Sequence, residues 1–151
     1  MDFETLRLEI ADGVATVTLN RPRQRNAMNP AFWREIRQAF DDIGADPAVR
    51  AAVITSTGPH FTAGLDLLSF AGVLAPSGGD EGRRREALRR LILDLQASFS
   101  AIERCRVPVL AAVPGGCIGG GVDMVTACDM RYCTEDAYFV IKEIDIGMAA
   151  D

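Results

Sequence analysis

Two short stretches carry glycine where a strand-like run gives way to a helix-like one, Ala63-Gly64-Leu65-Asp66 and Gly119-Gly120-Gly121. Consecutive glycines lose much conformational entropy on folding, so they call for a reason such as positive φ or close approach of backbone to a ligand. Ahead of a helix, unpaired N–H groups point outward at the positive end of the dipole, which suits an oxyanion or a phosphate. The spacing speaks against the phosphate motifs. No window fits G-x-G-x-x-G, and Gly121 is followed by Val122-Asp123 rather than the Lys-Ser/Thr of a P-loop. Two strand-end loops brought together would instead offer two backbone N–H groups to one carbonyl oxygen. Losing one donor from such an oxyanion hole typically costs roughly 3–4 kcal/mol of barrier. Asp123, read as about one residue into the helix, is then either a complement to the dipole or an acid held beside the donors. The bland alternative is a tight strand-to-helix crossing with no ligand.

Other chemistries have little to draw on. His60 is the only histidine, which leaves Ser-His-Asp and Cys-His mechanisms poorly supplied. The four cysteines, at 105, 117, 128 and 133, form no C-x-x-C pair, so no metal site is expected and they read as small core residues of a reducing compartment. A net charge of −5 argues against nucleic acid as a main partner. No apolar run has the length of a membrane span. The start, Met1-Asp2-Phe3-Glu4, is acidic where a signal or transit peptide would be basic, giving the expectation of a cytoplasmic protein.

The elements that must position these residues form an α/β chain of one domain over its 151 residues. Leu6–Ile10 alternates, Asp12-Gly13 follows, and Val14–Leu19 resumes, a strong hairpin signal. Asn20–Met28 is a basic loop without periodicity. Asn29-Pro30 supplies an N-cap and a first-turn proline, and Phe32, Ile36, Phe40 and Ile43 recur at helical spacing to about Gly44. Ala51–Thr55 is a short buried strand. From about Glu81 a long helix carries Leu88, Leu91, Ile92, Leu95, Phe99 and Ile102 on one face. The arginines at 83, 84, 85, 89 and 90 near its start oppose the dipole and read as a solvated face paired with Glu81, Glu86 and Asp94, the alternative being a contact to an anionic ligand or partner. Val107–Val113 is a buried strand, and Met130–Cys133 and Ala137–Ile141 are two more. The element order reads βββ–α–β–α–α–β–α–β–β.

At the glycine loops the sequence resembles the crotonase, or enoyl-CoA hydratase/isomerase, superfamily. The matching pieces are Asn20-Arg21-Pro22 with Asn26-Ala27-Met28, Phe61 through Leu67, Pro108 through Gly121, and Ala127-Cys128-Asp129-Met130-Arg131. The resemblance covers nearly the whole chain. It implies a spiral of ββα units, assembled as homotrimers or hexamers at full length, with a C-terminal helical part absent from this chain. It also implies that the N–H groups of Leu65 and Gly120 hold the thioester oxygen of an acyl-CoA. Ala63, Gly64, Asp66 and Gly119 would bind the substrate beside them, and the Arg23–Arg25 loop would edge the coenzyme A groove.

Within the superfamily, Gly121–Asp129 and Lys142–Asp151 look like the Δ3,5-Δ2,4-dienoyl-CoA isomerases. That likeness makes Asp123, Glu143 and Asp151 carboxylates of the acyl pocket, the latter two as an acid/base pair. Coenzyme A would enter as part of the substrate, with no metal or redox cofactor. Glu143 and Asp151 are eight residues apart, about 12 Å if helical, so a turn at Gly147 is expected to bring them together. Two alternatives stand beside this reading. One is a hydratase or Δ3-Δ2 isomerase of the same superfamily, and the other an acyl-CoA-binding piece without turnover.

Overall fold

The computed structural model of the chain describes residues 3–74, 79–147 and 149. Asp12 and Gly13, both at positive φ (51° and 79°), turn β1 (Leu6–Ala11) back onto β2 (Val14–Leu19) in antiparallel register. Two left-handed residues in a two-residue loop match the twist of the paired strands. Along β2, Ala15, Val17 and Leu19 point into the core. Helix α1 (Pro30–Ala45) covers that face with Phe32, Ile36, Ala39, Phe40 and Ile43, all buried. Its start is fixed as the sequence implies, since the Asn29 side chain accepts from Phe32 N at 2.9 Å.

From there the chain repeats one unit. Strands β3 (Ala51–Ser56), β5 (Val109–Val113) and β7 (Met130–Cys133) extend the first sheet in parallel, giving the order β1-β2-β3-β5-β7. After each comes a three-residue strand, β4 (His60–Thr62), β6 (Gly116–Ile118) and β8 (Tyr138–Val140). These three pair in parallel in a second sheet, β4-β6-β8. Each unit then leads into helical structure: α2 (Leu67–Leu74) with α3 (Glu81–Glu103), then α4 (Gly120–Thr126), and a 3-10 helix, Glu143–Ile146. This is the spiral of ββα units expected from the resemblance.

Several expectations change. Among the described residues two strands, not three, precede α1, and two strands of the second sheet, β4 and β6, lie where the sequence reads only loop and glycine cluster, while β8 falls within the expected strand Ala137–Ile141. Helix α4 takes in Gly120 and Gly121, so Asp123 is its fourth residue rather than near its first. On α3 only Ser98 and Ile102 are fully buried, while Leu88 and Ile92 are exposed, so its apolar face is not simply core. Cys117 and Cys128 are buried as expected, but Cys133 is exposed on an edge strand. At the start of α3, Arg85 pairs with Glu81 and Arg90 with Glu86, as read from the sequence, whereas Asp94 pairs with Arg37 of α1. The opposed dipole is answered by Asp80, whose side chain caps Arg83 N at 3.0 Å.

Candidate active site

Parallel pairing of β4, β6 and β8 puts their C-terminal ends along one edge of the small sheet. Adjacent strands lie about 5 Å apart, so the segments that leave them are neighbours: Ala63–Asp66 after β4, Gly119–Gly120 after β6, and Ile141–Glu143 after β8. Gly119 N donates to Val140 O at 2.8 Å, tying the second segment to the third. The first and second touch at their glycines. Gly64 has φ of +80°, and a Cβ there would stand 2.6 Å from Ile118 O and 3.4 Å from Gly120 N. Only a residue without a side chain allows this approach.

A fourth segment, at Met28, holds the first loop from below. Met28 N donates to Gly64 O (2.8 Å), and Asp66 N donates to Met28 O (3.1 Å), a parallel bridge opposite Leu65. The bridge uses the groups on either side of Leu65, so its own N–H is turned the other way. Asn26, buried and left-handed at φ 54°, braces the support. Its Oδ1 accepts from Arg21 N (2.8 Å), and its Nδ2 donates to Thr57 O (2.8 Å) and His60 O (3.1 Å). Thr62 Oγ1 donates to Asn26 O (2.7 Å) and accepts from Gly64 N (3.1 Å).

Leu65, Gly120, Asp123 and Glu143 all line one cavity of about 390 Å³. Among the described residues, neither Leu65 N–H nor Gly120 N–H has an acceptor. The two carboxylates flank the glycine pair. Asp123 Oδ2 lies 3.9 Å from where a Cβ on Gly120 would be, and Glu143 Oε1 lies 3.0 Å from one on Gly119. Burial, and secondarily the charge of Asp123, push the Cys117 thiol up to about 12. A thiol in that setting is inert packing rather than a nucleophile.

The remaining sequence candidates fall into three groups. Ala63, Gly64 and Gly119 form the loops themselves, with Ala63 N donating to Arg25 O at 2.9 Å. Arg23 and Arg25 are exposed beside that loop and do not line the cavity. Asp66 does not line it either. Its carboxylate is committed to Arg21 (3.4 Å) and to Ser69 N (3.2 Å) at the start of α2. Burial alone would raise its pKa, but the Ser69 and Arg21 contacts outweigh burial and hold it below the usual carboxylate value. Asp151 lies outside the described residues. Gly147 closes the 3-10 helix in the left-handed region at φ 72°, and the expected approach of Glu143 to Asp151 lies outside the described residues with Asp151 itself.

Sequence reasoning overlooked the opposite wall. Trp33 of α1 and Leu95, Gln96, Phe99, Ser100 and Glu103 of α3 complete the cavity. The signal was available: Gln96, Ser100 and Glu103 step along α3 at helical spacing beside Leu95 and Phe99, and Trp33 is the only tryptophan. An apolar helix face interrupted by polar residues at that spacing suggests a lined cleft rather than a closed core.

Comparison with known proteins agrees with this architecture. Residues 9–151 match the family described as enoyl-CoA hydratase/isomerase. The chain is 53% identical over 151 residues to the human mitochondrial Delta(3,5)-Delta(2,4)-dienoyl-CoA isomerase, covering 99% of this chain and 46% of that protein. Against the peroxisomal protein of that name from Arabidopsis thaliana it is 44% identical, covering 99% of this chain and 54% of the relative. The chain thus spans about half the length of the curated relatives it matches. Among solved structures, an enoyl-CoA hydratase/carnithine racemase from Magnetospirillum magneticum superposes with a TM-score of 0.86 at 28% identity, over 99% of this chain and 54% of the other. An enoyl-CoA hydratase from Mycobacterium avium subsp. paratuberculosis gives 0.83 at 26% identity, over 100% and 55%. The compartments in the relatives' names do not fit a plain cytoplasmic location. Among the described residues, no helix is long and apolar enough to cross a membrane.

Proposed function

The chain belongs to the enoyl-CoA hydratase/isomerase family, and from that membership we propose that the protein converts a 3,5-dienoyl-CoA into the 2,4-dienoyl-CoA. The observation that supports the reading is the shared cavity, lined by Asp123, Glu143 and by Leu65 and Gly120, whose N–H groups have no acceptor among the described residues. The names of the relatives at 53% and 44% identity support the isomerase over other reactions of the family.

In this account the thioester oxygen sits between Leu65 N–H and Gly120 N–H. A carboxylate takes a proton from C2, and the charge spreads through the dienolate onto that oxygen, where the two donors stabilise it most. The partner carboxyl group delivers a proton to C6, and the double bonds settle at C2 and C4. One proton leaves and one arrives, so the reaction needs no water, metal or redox cofactor, and coenzyme A enters only as part of the substrate. Glu143 and Asp151 are the acid/base pair. Apolar surroundings must keep one ionised and the other protonated. Asp123 tunes the pair electrostatically, and Arg23 and Arg25 edge the coenzyme A groove. The assembled protein is a homotrimer or hexamer, with no nucleic-acid or membrane partner.

A second reading, enoyl-CoA hydratase, is favoured by one observation: Asp123 and Glu143 alone already give the cavity two carboxylates. Competing turnover separates the two. The isomerase reading expects conversion of 3,5-dienoyl-CoA, followed by the absorbance of the 2,4 product, to exceed hydration of a 2-enoyl-CoA. Efficient hydration with no 2,4 product would overturn it.

A further inference from the structure

Trp33 stands between two cavities. One is the site cavity. The other, of about 320 Å³, lies among α1, α2 and α3, where Phe70 and Leu91 share its lining with the polar Arg34, Gln38 and Asp41. The two share Trp33 and Leu95 as lining residues. The backbone at this point is pinned, because Ser98 Oγ of α3 donates to Trp33 O at 3.0 Å. The indole is not pinned in the same way. It is buried, yet among the described residues its Nε1–H has no acceptor. Rings pack against it, Phe32 edge-on (5.6 Å between centroids) and Phe99 tilted (4.9 Å). At the solvent side of the second cavity Arg37 and Asp94 pair at 3.4 Å, both well exposed.

We propose that Trp33 and Leu95 are a partition that sets the length of acyl chain the site accepts. In the native protein the acyl pocket ends at the indole, and the second cavity, with Phe70 and Leu91 in its lining, is closed to the substrate. Removing either side chain joins the cavities and admits the distal methylenes of a long-chain acyl-CoA. Trp33 and Leu95 are the residues common to both linings, and an indole whose N–H makes no hydrogen bond among the described residues costs nothing in that respect to replace. The inference rests on the acyl-CoA reading of the site.

The test is calorimetric binding of unreactive octanoyl-, dodecanoyl- and hexadecanoyl-CoA to the parent, Trp33→Ala and Leu95→Ala, each checked for folding by circular dichroism. Leu95 is only half-buried, so its variant remains informative should Trp33→Ala unfold. Parent affinity should level off once the first cavity is filled. Each folded variant should go on gaining, about tenfold for every two further methylenes that enter the second cavity. Leu95→Trp should do the reverse and bring the plateau to a shorter chain. A parent that keeps gaining through hexadecanoyl-CoA, or folded variants with the parent's profile, would overturn the partition alone. A parent that binds none of the three would overturn the acyl-CoA reading beneath it.

Discussion

Gly64 and Gly120 are packed so closely that a Cβ on the first would stand 3.4 Å from the backbone nitrogen of the second. The same Cβ would come within 2.6 Å of Ile118 O, and the residue is held at φ +80°. Gly64→Ala must therefore either part the two loops or strain the backbone. It should lower stability by about 1–3 kcal/mol and move the two N–H groups out of register. Thermal denaturation checks the first effect. The red shift of a bound chromophoric enoyl-CoA, which reports polarisation of the thioester, should be lost in the second.

Asn26 is the brace beneath the same loop, and its side chain satisfies three backbone groups in a buried place. Asn26→Ala leaves Thr57 O, His60 O and Arg21 N short of partners. The expected loss is about 2–3 kcal/mol, read from the urea midpoint at an unchanged slope.

Much of this construction was legible in advance, for reasons that differ from residue to residue. The Asp12-Gly13 turn and the Asn29-Pro30 cap are local chemistry, and they stand where the sequence puts them. The two glycine loops were recognisable as paired donors, but not the device that pairs them. Strands of three residues, such as His60–Thr62 and Gly116–Ile118, are too short to show alternation, so of the second sheet only β8 was legible, within Ala137–Ile141. Asp66 shows a related limit. An acid beside a glycine loop looks like a substrate contact, and only the distant Arg21 turns it into an ion pair. The polar steps on α3 were legible, but that they face Trp33 across a cavity depends on how two helices pack, which neither helix encodes alone.

The cysteines offer a prediction by pH. Burial pushes the thiols of Cys117 and Cys128 up to about 12, helped at Cys117 by the charge of Asp123. With the folded value above the ordinary one of 9.0, the native state holds these protons while the unfolded chain loses them. Their contribution is intact below pH 9 and declines as pH rises from 9 towards about 12. At neutral pH an aromatic disulfide reagent should label exposed Cys133 quickly in the folded protein. Cys117 and Cys128 should be labelled only on unfolding, and rapid native labelling of either would contradict their placement.

The acids should show themselves in kcat rather than KM. If Glu143 and Asp151 exchange protons with opposite ends of the diene, Glu143→Gln and Asp151→Asn should each lower kcat by about 10²–10⁴. KM should change little, because the lost interaction belongs to the transition state. Asp123→Asn should cost less than either. A fully active Asp151→Asn protein would leave Asp123 and Glu143 as the working pair and favour a hydratase.

The most direct measurement follows the protons themselves. Turnover of 3,5-dienoyl-CoA in D₂O, with the product examined by proton and deuterium NMR, reports where solvent-derived hydrogen enters. Two separate carboxylates, one stripping C2 and the other supplying C6, predict a 2,4-dienoyl-CoA carrying deuterium at C6 and no added oxygen. A 3-hydroxy product, or a 2,4 product with no deuterium at C6, would contradict the two-carboxylate isomerase.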